Sequence, residues 1–172
     1  ALYRGETHYA PSAGIPELLS AIADKITREN GIPASPDNVI VSCGAKNAIY
    51  EAMEAVLNPG DEVILLDPCW VSYQPCVQIA GGTAIHHPLN ATTFQIDDTL
   101  LERITPDTRM IVVNSPSNPS GAVLDTASMR FVADICTDHD LIAISDEIYE
   151  KLVYDVAHLS LAAFDGMQER TV

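Results

Sequence analysis

A chain of 172 residues, 47% of them apolar, is long enough to bury the core of one ordinary domain. Nine Lys and Arg against 24 Asp and Glu leave a formal charge of −15, which repels phosphate backbones and anionic headgroups and argues against nucleic acid and membrane surfaces as partners. No apolar run is long enough to cross a bilayer, and Ala1-Leu2-Tyr3-Arg4-Gly5 is unlike a secretory signal, so the cytoplasm is the expected location.

In chain order, Pro16 suits a first helical turn, and Leu18, Leu19, Ile22, Ala23 and Ile26 follow at helical spacing up to a stop at Asn30-Gly31. Val39-Ile40-Val41 reads as a short strand and Gly44 as a turn. Ala45 to Leu57 reads as a second helix with Ile49, Met53 and Val56 on one face. After Asn58-Pro59-Gly60-Asp61 come a strand over Glu62 to Leu66, a helix over Val71 to Ala80 interrupted or bent at Pro75, and a strand over Thr83 to His86. Asp98 to Ile104 predicts a short helix, Arg109 to Val113 a strand, Thr126 to Asp138 a helix, and Leu141 to Ser145 a strand. Continuously apolar strands alternating with helices predict a three-layer α/β/α fold around a mostly parallel sheet. Cys43, Cys69, Cys76 and Cys136 form no CxxC pair and have no metal-ligand spacing, so reduced core thiols and no metal are expected.

In sheets of this class the ligand crevice lies beyond the carboxyl ends of the strands. Four such ends carry polar or aromatic groups: Ser42-Cys43-Gly44-Ala45-Lys46, Asp67-Pro68-Cys69-Trp70, Asn114 to Gly121 (NSPSNPSG), and Ser145-Asp146-Glu147-Ile148-Tyr149. Gly44-Ala45-Lys46 at a helix start suits a phosphate, because free N–H groups and the positive end of the helix dipole point at it. Trp70, the only tryptophan, could stack on a planar ring. Asp146 could pair with a protonated heterocyclic nitrogen, with Asn118 and Tyr149 donating to an oxygen of the same ring. The Asn118-Pro119 bond could be cis. Each has a plainer structural alternative: an ordinary turn at Gly44, core packing for Trp70, a helix N-cap for Asp146, an Asx-turn for Asn118, a packed surface ring for Tyr149.

Taken in order, YAPSAGIPEL, SCGAKNA, NPGDEVILLDPCWVSY, VVNSPSNPSGAV and SDEIYEKLVY resemble the class I aminotransferases of pyridoxal-phosphate fold type I, nearest the bacterial and archaeal aspartate aminotransferase subgroup. The resemblance spans essentially the whole chain. It implies that Asp146 pairs with the pyridine N–H of pyridoxal 5'-phosphate, that Asn118 and Tyr149 bond the ring's phenolic oxygen, and that Trp70 stacks on the ring. It implies further that Gly44, Ala45 and Lys46 hold the phosphate, and that Tyr9 reaches the phosphate of a neighbouring subunit in a homodimer. Lys46, Trp70 and Asn118 are also implied to face the substrate, an amino acid such as aspartate or glutamate, with a 2-oxo acid as amino acceptor.

The same chemistry requires a Schiff-base lysine. Lys25, Lys46 and Lys151 do not lie in a matching motif, so the resemblance implies that this lysine follows shortly after Val172. Residues 1–172 are therefore expected to be a partial cofactor-binding domain lacking an N-terminal arm, the catalytic-lysine strand and a small C-terminal domain, and to be inactive alone. A gap is expected in the sheet between the strand ending near Val41 and that ending at Ser145, with marginal stability or completion by another chain. The alternatives are an alanine, aromatic or prephenate aminotransferase, a β-lyase on the same fold, or an aminotransferase-like sensor domain of a transcription regulator. A generic dinucleotide-binding domain would carry a GxGxxG turn, which SCGAKNA does not supply.

Overall fold

The computed structural model describes residues 1–172. Its elements are α1 (Pro16–Lys25), α2 (Ala45–Val56), β1 (Glu62–Asp67), α3 (Tyr73–Ile79), β2 (Thr83–Pro88), β3 (Thr108–Asn114), α4 (Thr126–Asp138) and β4 (Ile142–Asp146). The four strands pair in parallel in the order β2-β1-β3-β4. All four therefore end on one side, where the sequence concentrates its polar groups.

The apolar runs become strands because both faces of the sheet are covered. On one face Ile64, Leu66, Ile111 and Val113 join Met129, Val132 and Cys136 of α4, together with Leu100, Leu161 and Met167. On the other, Val63, Leu65, Met110 and Val112 join Ile49 and Met53 of α2 and Tyr73 and Val77 of α3. These two clusters give the expected three layers. Val63, Ile64, Leu65, Met110 and Ile111 are wholly buried, and each such side chain contributes about 1.5–3 kcal/mol relative to exposure, so β1 and β3 anchor the fold. Helix α4 starts where Asp125 accepts a hydrogen bond from Ser128 N at 2.8 Å, a side-chain cap.

Several expectations need correction. Val39–Val41 is not a strand: Val41 N donates to Ala13 O at 2.7 Å, but no strand lies alongside, and Ile40 is exposed. The helix expected from Val71 begins only at Tyr73, and Pro75 sits in its first turn, where no intrahelical N–H is needed, so it starts the helix rather than interrupting it. Asp98–Arg103 is a 3-10 helix, and α1 passes into a π-helical turn at Ile26–Asn30. Of the four free cysteines only Cys76 and Cys136 are buried; Cys43 is exposed in the loop before α2 and Cys69 is half-buried just beyond β1, both outside the layers.

The expected gap beside the strand ending at Ser145 is narrowed but not closed: Val39–Val41 joins no sheet, and only a short segment lies beside β4. Residues 170–172 run parallel to β4: Ala143 N donates to Arg170 O at 2.8 Å, Ser145 N to Val172 O at 2.8 Å, and Val172 N to Ala143 O at 2.9 Å. Strand β4 is thus flanked on both sides, by β3 and by this segment.

Candidate functional site

Helix α2 supplies the first wall. Its N-cap is Gly44, with φ 100° and ψ 159°, no side chain caps the helix, and nothing lies within 4 Å of where a Cβ at Gly44 would stand. The first amides of a 12-residue helix therefore face open space, together with the positive end of its dipole. Such a cradle suits a dianionic group. Lys46 bends back from this first turn so that Nζ lies 5.0 Å from the centre of the Trp70 ring, a cation–π contact.

Trp70 follows β1 in the turn before α3 and meets Tyr73 edge to face, with centroids 5.4 Å apart and ring planes at 84°. Tyr73 is 1% exposed, and its phenol donates to Asp146 Oδ2 at 2.6 Å. Burial first, and then the adjacent Asp146, raise the phenol above its ordinary range, so it remains a donor.

Asp146 is the last residue of β4 and is half-buried. It caps no helix, as the alternative reading would have had it, because Ile148 to Lys151 form a turn rather than a helix. Its Oδ1 accepts only a long bond from Ile148 N at 3.3 Å, and none of the ion pairs in the chain includes it. A carboxylate in this setting retains an acceptor site for a cationic or N–H partner.

Asn114, at the end of β3, joins the two neighbouring strand ends. Its Nδ2 donates to Asp146 O at 2.8 Å and its Oδ1 accepts from Asn118 N at 2.7 Å. The NSPSNPSG loop is thereby tied to β4, and both of its X-Pro bonds, Ser115-Pro116 and the anticipated Asn118-Pro119, are cis. The side-chain amide of Asn118 and the phenol of Tyr149 make no hydrogen bond within the chain, and both line an open cleft of about 650 Å³.

The structure thus gathers Gly44, Ala45, Lys46, Trp70, Asn118, Asp146 and Tyr149 on the carboxyl side of the sheet. Tyr9 is not among them; it is fully exposed and touches none of these groups. Tyr149 does not share a helical face with Asp146 but is carried by a turn. Sequence reasoning assigned no role to Tyr73 or Asn114. Tyr73 had a usable signal, since it is an aromatic close after Trp70 at the start of the helix that follows β1.

This arrangement coincides with known proteins over nearly the entire chain. The family model described as aminotransferase class I and II matches residues 2–169. An aspartate/prephenate aminotransferase of Thermus thermophilus is 46% identical over 162 residues, covering 93% of this chain and 42% of the relative. An aspartate aminotransferase of Pyrococcus abyssi is 43% identical over 176 residues, covering 100% of this chain and 45% of the relative. Among solved structures, a Thermus thermophilus aspartate aminotransferase double mutant superposes with a TM-score of 0.95 at 43% identity, covering 99% of this chain and 45% of that one. The N-succinyldiaminopimelate aminotransferase of Mycobacterium tuberculosis superposes equally well, with a TM-score of 0.95 at 40% identity over 99% of this chain and 46% of that one. The chain therefore spans a little under half the length of the relatives it matches.

Proposed function

The chain belongs to the class I and II aminotransferase family, and from that premise we propose that it is part of the large domain of a pyridoxal-phosphate-dependent aminotransferase acting on a dicarboxylic amino acid. The observation that carries this reading is Asp146: a half-buried carboxylate at a strand end, held by Tyr73 on one oxygen and without a cationic partner on the other. When bound, pyridoxal phosphate supplies a protonated heterocycle that accepts electron density from the substrate's Cα.

The residues fit that group in three respects. Gly44, Ala45 and Lys46 offer an uncapped helix start with open space before it, matched to a phosphate. Trp70, steadied edge-on by Tyr73, offers an indole for the ring. Asp146 keeps a ring N–H charged by accepting from it, while Asn118 and Tyr149 have unused donors for the ring oxygen.

Lys46 serves a second purpose in this reading: its ammonium, resting over Trp70, attracts the side-chain carboxylate of aspartate or glutamate. Asn118 receives the α-carboxylate. None of the three lysines is free to act on the substrate's Cα proton. Lys25 is engaged with Glu150 and Asn30, Lys151 with Glu29, and Lys46 with Trp70. The reactive amine is therefore assigned to another segment of the complete protein. Tyr9, wholly exposed, is assigned to the site of a second subunit in a homodimer, and the cytoplasm remains the proposed location. No helix is long and apolar enough to cross a membrane.

Asp146→Ala in the complete protein tests the reading. The expected result is loss of amino transfer from aspartate by at least about a hundredfold, in keeping with the few kcal/mol typical of a buried charged partner. A variant that keeps its rate disposes of the assignment. Rates with alanine, tyrosine and aspartate as donors, and with prephenate as acceptor, distinguish the dicarboxylic reading from an aromatic or prephenate aminotransferase.

A further inference from the structure

Asp67, Cys69 and His86 converge at the carboxyl ends of β1 and β2. In the parallel register Leu65 lies opposite His86, so Asp67, two residues beyond Leu65, shares a face with His86. Asp67 Oδ2 stands 2.8 Å from His86 Nδ1, and with Cys69 Sγ the three ligand atoms all lie within 4.8 Å of one another. From this geometry we propose that Asp67, Cys69 and His86 bind a thiophilic divalent cation of the zinc class, with solvent as the fourth ligand.

One sulfur, one imidazole nitrogen and one carboxylate oxygen make a borderline-soft donor set that suits zinc and excludes magnesium and calcium, which take oxygen ligands. Around a tetrahedral zinc with bonds of about 2.0–2.3 Å, neighbouring ligand atoms stand about 3.3–3.8 Å apart. The 2.8 Å pair must open and the widest pair must close, each by no more than about 1 Å. The Asp67 and His86 side chains are each 39% exposed, so rotamer adjustment meets little resistance.

The backbone supplies the rigidity: Asp67 and His86 are fixed by adjacent hydrogen-bonded strands, and Cys69 follows Asp67 by two residues. Burial, and secondarily the Asp67 carboxylate, push the Cys69 thiol up to about 12. A cation takes the place of the thiol proton, which passes to solvent, while the proton between Asp67 and His86 moves to His86 Nε2, leaving Nδ1 and the carboxylate free to ligate. A cysteine-spacing rule does not find the set, since Asp67 and His86 sit on two different strands, 19 positions apart in the chain. Because Trp70 is the next residue after Cys69, an occupied site would clamp the indole-bearing turn to β2.

Cation binding is read without turnover, so its outcome stands apart from that of the aminotransferase reading. Metal-stripped complete protein is titrated with Co2+ and followed by the visible d–d bands of tetrahedral cobalt, then back-titrated with Zn2+. The expected result is one equivalent of tetrahedral Co2+, displaced by Zn2+, with Cys69→Ser and His86→Gln each lowering Zn2+ affinity at least tenfold. Losing a direct ligand should cost no less than the roughly 10–100-fold seen for outer hydrogen-bond partners. Cys43→Ser, at the exposed thiol, should change nothing. Bands that survive Cys69→Ser, vanish with Cys43→Ser, or never acquire tetrahedral intensity would each overturn the proposal. Should Cys69→Ser fold poorly by circular dichroism, His86→Gln on the exposed rim decides alone: unchanged affinity refutes the site.

Discussion

Tyr73 and Asp146 are 73 residues apart in the chain, yet phenol and carboxylate meet at 2.6 Å. This bond joins the start of α3, which follows β1, to the end of β4, with β3 lying between those two strands. It orients the carboxylate by a neutral donor, so the aspartate's negative charge is left for another partner. The same phenyl ring supports Trp70 edge-on, so one buried side chain holds both the charge and the stacking surface.

Tyr73→Phe should keep the ring packing and delete only the donor. Hydrogen bonds to charged groups contribute about 1.5–3 kcal/mol, and the urea midpoint should fall accordingly with unchanged slope. If the aminotransferase reading holds, transfer from aspartate by the complete protein should slow by about tenfold as Asp146 loses its orientation. A variant as stable and as active as the parent would show the bond to be idle.

Gly44→Ala separates backbone strain from ligand contact. At φ 100° an alanine is strained by about 1–3 kcal/mol, although its Cβ would meet no atom within 4 Å. If that space receives a phosphate, affinity for pyridoxal phosphate should fall by more than tenfold, beyond what the stability loss explains. Fluorescence titration of the apoprotein measures it; equal affinity moves the phosphate elsewhere.

Asn30 is the knot between the end of α1 and the segment after β4. Its Nδ2 donates toward Glu147 at 3.1 Å, Glu150 at 2.9 Å and Ser160 at 2.8 Å, and its Oδ1 accepts from Lys25 Nζ at 2.7 Å. Burial alone would raise the Glu150 carboxyl, but hydrogen bonds from Lys25 and Asn30 outweigh it and the net effect is a lowered pKa. A depressed carboxyl contributes stability that is present above its unfolded pKa and lost as pH falls through the folded one. Asn30→Ala should therefore destabilise by about 1–3 kcal/mol at neutral pH and show a shallower loss on acidification. Thermal melts from neutral pH through the carboxylate range would reveal parallel curves if Asn30 had no part in it.

His87 predicts a second window at higher pH. It is 1% exposed, and neither ring nitrogen has a hydrogen-bond partner. Burial, partly offset by Asp97, lowers its pKa, so the folded chain resists the proton that the unfolded chain takes up below about pH 6.5. Stability should drop as pH falls through that region. His87→Phe, similar in shape and without unpartnered polar atoms, should flatten the drop and be at least as stable at neutral pH. An identical slope in parent and variant would assign the acid loss to other groups.

What could be read from the sequence follows the range of the interactions involved. Thr126–Asp138 was legible because a local cap at Asp125 and an apolar face specify it, and β1, β3 and β4 because burial on both faces forces continuous apolar runs. Val39–Val41 has the same composition but no strand beside it, and pairing is not written in three residues. The candidate site residues were singled out through ordered motifs at the strand ends. Tyr73 was not, because its role depends on a partner that only the sheet order brings near. Asp67, Cys69 and His86 escaped for the same reason: their juxtaposition is a property of register.

The pairing of residues 170–172 with β4 has a dynamic consequence. The peptide just before Asp146 is clasped on one flank by Val113 of β3 and on the other by Val172, through the Ser145 amide. Deuterium should replace the proton on that nitrogen only when residues 170–172 part from β4, so its exchange reads how firmly this flank is held. The aspartate is therefore aimed before any ligand arrives, and an incoming ring need spend little of its binding energy on quieting the wall it meets.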